Sequence, residues 1–219
     1  MVDLRLLTFN LIKMNQKTIR LILWPVIIIL AWFVYRSPIS LKEFQEESNF
    51  RKSAVVQSLK DIRTAQVAYK DKYRVYADNF NSLLDFVNND SIALIKAIGE
   101  TPDSLTEEQA LEAGIISRDT VFISAGESIF GAEYLDTRDD RFAFDLNTLT
   151  EVPFSEGEPF KIEAGSIEKG KVIVQVFEVS TNYATFLKGI DANNKGIDLE
   201  DIIRVGSMSE ASINGNWGE

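Results

Sequence analysis

Fifteen consecutive residues, Leu21–Tyr35 (LILWPVIIILAWFVY), carry no charge, and from Leu41 a charged pattern, LKEFQEESNFRKSAVVQSLKDIRTAQVAYKDKYRVY, runs on without Gly or Pro. An apolar segment feeding a long unbroken helical pattern restricts the remainder to whatever can hang from an anchor and a stalk. As a helix the uncharged run covers roughly 22 Å, against the roughly 30 Å hydrocarbon core of a bilayer. Ile19 and Ile39 extend it, Arg20 and Arg36 can snorkel outward, and Trp24, Trp32 and Tyr35 stand where interfacial aromatics belong. The alternative is a buried core helix. An all-round apolar surface bounded by Arg on both sides favours the membrane, with Leu21, Trp24, Pro25, Ile28, Trp32 and Tyr35 as anchor residues and the lipid bilayer as first partner.

Basic residues ahead of an apolar run also describe a secretory signal peptide. After Tyr35, however, RSPISLKEF offers no small-x-small pattern, and Pro38 sits at the cut such a signal would need, so the reading is an uncleaved signal-anchor. Lys13, Lys17 and Arg20 precede the run, whereas Arg36 and Lys42 follow it; this bias places residues 1–18 in the cytoplasm as a short tail and residues 41–219 outside it, on a single-pass protein of the inner (cytoplasmic) membrane. Met14 opens MNQKTIRLILW, itself an ordinary tail, so residues 1–13 are either a start-site artefact or an amphipathic lead-in.

The anchor, residues 19–40, leaves about 180 residues, enough for one domain plus a stalk. The formal net charge is −10 and the first 40 residues are net basic, so the part after the anchor is strongly acidic and repels phosphate backbones; no nucleic-acid partner is expected. The chain contains no Cys and no His, which removes thiol nucleophiles, disulfides, Cys/His zinc sites and every imidazole base. Carboxylate pairs, Ser with Lys, and Tyr remain, and no motif marks any of them. The expectation is a non-enzyme with no catalytic, cofactor or metal residues.

In the stalk, residues 41–76, apolar and aromatic positions recur at helical spacing through Val55, Leu59, Ile62, Tyr69 and Tyr73, with Gln66 completing the seam. The flanking faces, Lys52, Lys60, Arg63 and Lys70 with Glu46, Glu47 and Asp61, read as a mixed solvated surface. A coiled coil would need a longer seam; the turn to aromatics favours packing on the domain's own sheet.

The domain, residues 77–219, opens with a polar turn at YADNFN and two short helical patterns, Ser82–Asn88 and Ser91–Ile98, the second closed by Gly99. Thr106 with Gln109 reads as a capping box, and Gly114 as the residue after that helix, which makes 50–114 helical. Beyond Ser117, VFIS, RFAF, FKIEA, KVIVQVFEV and DIIRV read as strands, the longest apolar on both parities and hence central. Gly165–Gly170 reads as a hairpin turn and Asn214-Gly215 as another, with Trp217 a final apolar anchor. The fold class is therefore α+β: an N-terminal transmembrane helix continuing into a long helix packed on a C-terminal antiparallel sheet.

DANNKGIDLED places Asp191, Asn193 and Gly196 at calcium-loop positions, but Lys195 and Ile202 stand where oxygen ligands are needed, so it reads as a polar turn. TRDDR, Thr137–Arg141, reads as a charged loop, and GESIFGAE lacks the context of a phosphate cradle.

The order of anchor, amphipathic helix (LKDIRTAQVAYKDKYRVYADNFNSLLDF) and sheet resembles type IV pilins and type II secretion pseudopilins. The chain departs from them in having no Gly of a prepilin cleavage site before the run and no acid between Lys17 and Lys42. The resemblance implies a pilin-like structural or assembly protein of a bacterial cell-envelope secretion or pilus-type machine, whose partners are other envelope proteins or further copies of itself. The alternative is a membrane-tethered extracytoplasmic ligand- or partner-binding domain, a sensor or accessory.

Overall fold

The computed structural model describes residues 16–99, 102, 105–193 and 195–218; for 16, 18–19, 33–40 and 95–97 it describes the backbone alone. The tail expected over residues 1–18 therefore lies almost wholly outside the described residues. Helix α1 spans Gln16–Tyr73. Two units divide the chain: residues 1–49 with 191–196, and residues 50–190 with 197–219.

In the first unit α1 carries the apolar run. Pro25 lies within the helix, where its ring removes one backbone donor. Among the described residues no helix is long and apolar enough to cross a membrane. The uncharged stretch is itself short of a bilayer's thickness, and the side chains of residues 33–40, including Tyr35, lie outside the described residues.

The second unit follows the helical spacing of its sequence. Val55, Leu59 and Ile62 are fully buried and share one core cluster with Phe177, Val179 and Val205. The aromatic end of the seam packs elsewhere: Tyr69 and Tyr73 meet Phe86, at 5.4 and 5.9 Å between ring centroids, on a second helix rather than on the sheet. That helix, α2, spans Phe80–Asn89 and is capped by Asn79, whose side chain accepts from the Ser82 N–H. Lys70 and Lys72 suit the negative end of α1, and Arg74, at φ 66°, turns the chain off the helix while its N–H donates to the Lys70 carbonyl at 2.7 Å.

Residues 50–114 are not all helical. Ser91–Ile98 is strand β1, paired antiparallel along its whole length with β2, Ser117–Ser124. Ile92, Ile95 and Ile98 recur every three residues and imitate a helix face, but β-branched residues also suit a strand, and a partner strand of equal length decides the outcome. Gly99 therefore ends a strand. Helix α3, Glu107–Glu112, does form with the capping box: the Thr106 hydroxyl accepts from the Gln109 N–H and the Gln109 side chain from the Thr106 N–H. Short helices α4, Ala125–Ile129, and α5, Ala132–Asp136, follow β2.

The RFAF segment, Arg141–Phe144, is not a strand; it leads instead into a short 3₁₀ turn at Leu146–Thr148. A three-stranded antiparallel sheet is built from β3, Lys161–Lys169, β4, Val172–Asn182, and β5, Ile202–Gly206, with β4 in the centre. Phe177 and Val179 face the core while Val176, on the other parity, is also buried, so the middle of β4 is covered on both faces. Its first residues are not, Val172 being 61% and Ile173 72% exposed. The hairpin turn falls at Gly170-Lys171, since Gly165 pairs within the ladder opposite Val176. Gly206 is obligatory, because at φ 76° a Cβ would lie 2.3 Å from the Phe177 carbonyl oxygen. A short helix α6, Tyr183–Phe186, lies between β4 and β5. Asn214 and Gly215 form no hairpin of their own; they return along β5, with Gly215 bridging Val205, and Trp217 packs against the core. The coarse expectation, a long helix with antiparallel sheet in an α+β arrangement, describes the structure, with two sheets in place of one.

In a fragment starting at Leu41, Leu59→Ala or Ile62→Ala lowers unfolding free energy by about 2–5 kcal/mol and Lys60→Ala by under about 0.5 kcal/mol. Urea unfolding followed by circular dichroism checks this; three equal, small effects would mean the seam carries no core.

Candidate functional site

The most conspicuous surface is on α1, where Leu21, Ile22, Leu23, Trp24, Val26 to Leu30 and Trp32 are all exposed, at 77% for Leu21 and 65% for Trp24. Of the anchor residues read from sequence, Leu21, Trp24, Pro25, Ile28 and Trp32 are on this surface.

In the second unit the strongest polar feature is a buried ion pair. Asp61 and Arg138 keep only 4% and 8% of their side chains exposed. Arg138 donates from Nε to Oδ1 at 3.0 Å and from Nη2 to Oδ2 at 2.8 Å, while the Tyr134 hydroxyl and Gln57 Nε2 donate to Oδ1 at 2.8 and 3.0 Å. The guanidinium also donates to the Phe142 carbonyl and lies 5.1 Å from the Phe144 ring centroid. Burial, first, and then the Asp61 charge push the Tyr134 phenol well above its usual range. Two sequence readings change here: Asp61 is buried and does not belong to the solvated face, and TRDDR supplies the arginine that neutralises it. Its spacing from Gln57, one helical turn, was the available signal. With both oxygens engaged from within the protein, Asp61 is a clamp between α1 and the segment after α5.

Beside this clamp lies a cleft of about 500 Å³ between α1 and residues 138–157. Phe50, Phe142 and Phe154 line it, with ring centroids 5.3 Å apart for Phe50 and Phe142 and 6.0 Å for Phe50 and Phe154. Asp145, Glu151 and Glu156 stand exposed among its lining residues. Phe154 and Glu156 both sit at φ 65°, a left-handed backbone uncommon for such residues. A second cleft, about 680 Å³, opens between the later part of α1, at Val67, Ala68 and Lys72, and the β1–β2 ribbon, at Ala93 and Phe122. The ribbon leaves Leu94, Val121 and Phe122 exposed.

Seam residue Tyr73 ends at a charge cluster, donating its hydroxyl to Asp90, which also pairs with Lys72. Those bonds, Lys72 first and then Tyr73 and the Ser91 N–H, hold the Asp90 carboxyl at about 2 against an ordinary 3.8. The bond to Asp90 in turn pushes Tyr73 up to about 12 from 10.0. In the Asp191 loop, Asp191 accepts from the N–H and side chain of Asn193, a turn closed on itself. Among the described residues no group of carboxylates is placed to hold a metal ion.

Comparison with protein-family models, with curated proteins and with solved structures gives no match for this chain.

The Asp90 cluster sets a pH dependence. A depressed carboxyl stabilises the fold fully above its ordinary 3.8, and the contribution drains away as pH falls towards 2. The raised Tyr73 phenol acts oppositely: its contribution holds below pH 10 and is lost as pH rises through 12. Asp90→Asn therefore flattens the acid limb of stability against pH relative to the parent, measured by urea midpoints from pH 5 to 2; superimposable acid limbs would refute the cluster's role.

Proposed function

We propose that the chain is a single-pass, membrane-anchored, pilin-like structural or assembly protein of a bacterial cell-envelope secretion or pilus-type machine, acting through partners and not by catalysis. The observation that carries this reading is the run of exposed large apolar side chains from Leu21 to Trp32, broken only by Pro25 and Ala31, on the same helix whose later part is built into a folded unit. Such a surface requires an apolar environment, and a bilayer provides it on every side of the helix. Crossing the bilayer rests on the sequence of Leu21–Tyr35, extended by Ile19 and Ile39 and flanked by Arg20 and Arg36. A backbone interrupted by Pro25 is easier to hold in lipid beside neighbouring helices, which favours association. The lack of His and Cys supports a role without acid–base or thiol chemistry.

The aromatic cleft at Phe50, Phe142 and Phe154 favours one further reading, a membrane-tethered domain that binds a ligand or partner in that cleft. The two readings share the anchor and differ in whether the protein works as one of many like subunits.

Washing membranes with alkaline carbonate should leave the protein in the pellet, and protease added to spheroplasts should remove a C-terminal tag. Ile28→Lys, a charge in the middle of the run, should move the protein towards the wash. Full release of the parent by carbonate would sink the anchor, and a tag protected in intact spheroplasts would reverse the orientation.

A further inference from the structure

The β3–β4 hairpin runs beyond the core of its sheet. At its end Val172 and Ile173 project to opposite faces, 61% and 72% exposed, with Lys169 just before the turn and Lys171 within it. Gly170 and Lys171 take φ 58° and 68°, the two positive angles of a primed hairpin turn. Lys171 occupies the second of these positions, where Gly or Asn is the usual residue. Neither lysine has an ion-pair partner among the described residues. On a chain of net charge −10, this is an apolar wedge with a cationic tip.

The cleft floored by Phe50, Phe142 and Phe154 has the opposite character. Its volume, about 500 Å³, suits a turn carrying two aliphatic side chains. Asp145, Glu151 and Glu156 stand exposed around it; the arginines on the same cleft are committed to Asp61 and Asp139, whereas Glu151 makes no ion pair among the described residues. We propose that the Lys169–Ile173 tip of one copy docks in the aromatic cleft of a second copy, its lysines meeting Glu151 and Glu156. This deepens, and rests on, the reading of the chain as an assembly protein. Wedge and cleft are different patches of one chain, so the contact is heterologous and repeats head to tail, building rings or open lines of co-oriented copies. Val172 and Ile173 lose their exposure in the contact, and the charge complement fixes which end enters. Glu156 exchanges Lys188, which it meets at 2.7 Å, for a lysine of the incoming tip.

The chain has no cysteine, so single thiols can report the contact without background. Full-length Val172→Cys and Thr148→Cys chains, the second within the cleft, are co-expressed and oxidised mildly in native membranes. A disulfide dimer should form in the mixture and in neither variant alone. Lys169→Glu with Lys171→Glu on the tip chain should cut it about tenfold, as two attractive contacts become repulsive, and Glu151→Lys with Glu156→Lys on the cleft chain should restore it. Trypsin resistance of each variant confirms that it is folded. No dimer from folded chains, equal dimer from either variant alone, or cross-linking of the cleft thiol only to a different polypeptide overturns the proposal. Carbonate extraction of the same membranes separates the two failures: a protein held in the pellet without the cross-link loses this interface and keeps its anchor, whereas a cross-linked protein released by carbonate keeps the interface and loses the anchor.

Discussion

A carboxylate taken out of water costs several kcal/mol unless its hydrogen-bonding capacity is met, and Asp61 is the place where the second unit meets that requirement. Arg138 must come to it, and with Arg138 comes the whole segment after α5. The guanidinium's third nitrogen, Nη1, donates to the Phe142 carbonyl, and its plane lies over Phe144. Phe142 is thereby held against Phe50 on α1. The aromatic cleft is thus a consequence of neutralising one buried charge, since removing either partner would release the wall that carries Phe142.

The end of α1 is fixed by the same principle with a neutral group. Gln66 is fully buried in the seam, and its amide copies a backbone pairing: Nε2 donates to the Ala77 carbonyl and Oε1 accepts from the Ala77 N–H, both at 2.9 Å. A seam position that is polar in sequence thus closes the turn after the helix at no cost in unsatisfied groups. That turn sends Tyr76 onto Phe177 of β4, at 4.5 Å between centroids, and delivers α2 to Tyr69 and Tyr73. Lys72 and Tyr73 then hold Asp90, the residue immediately before β1, so the position of the ribbon follows from the last turn of the helix.

These links explain how much could be read in advance. The seam at Val55, Leu59 and Ile62, the capping box at Thr106 and the central position of β4 are encoded by spacing within a few turns or one strand, and local spacing is visible in a sequence. The burial of Asp61 is decided by Arg138, 77 residues away, and although Gln57 one turn earlier hints at a polar contact, neither neighbourhood names the partner. Ser91–Ile98 failed for a related reason: SIALIKAI satisfies both periods, and only the matching length of Ser117–Ser124 settles it. RFAF has strand composition but no strand beside it, and its aromatics are used as cleft wall and guanidinium support. The hairpin turn falls later than Gly165 suggests, because that glycine lies opposite Val176, where a Cβ would come 3.3 Å from Met208.

The apolar part of α1 bears on what kind of environment the protein occupies. Successive helical residues are offset by about 100°, so Leu21, Ile22, Leu23 and Trp24 together face every direction around the axis. All four are more than half exposed. A single partner helix would cover one stripe and leave the others in water, as would a groove on a protein surface. Covering all sides takes either several helices packed around this one or a medium that is apolar everywhere, and the second needs no assembled partner to exist first. The two are compatible in sequence: under the proposed reading lipid would cover the helix first, and neighbouring helices would then meet the backbone group that Pro25 leaves without a donor. If the proposed anchoring holds, copies share one plane and a common orientation, which is the condition under which a contact between two unlike patches can repeat.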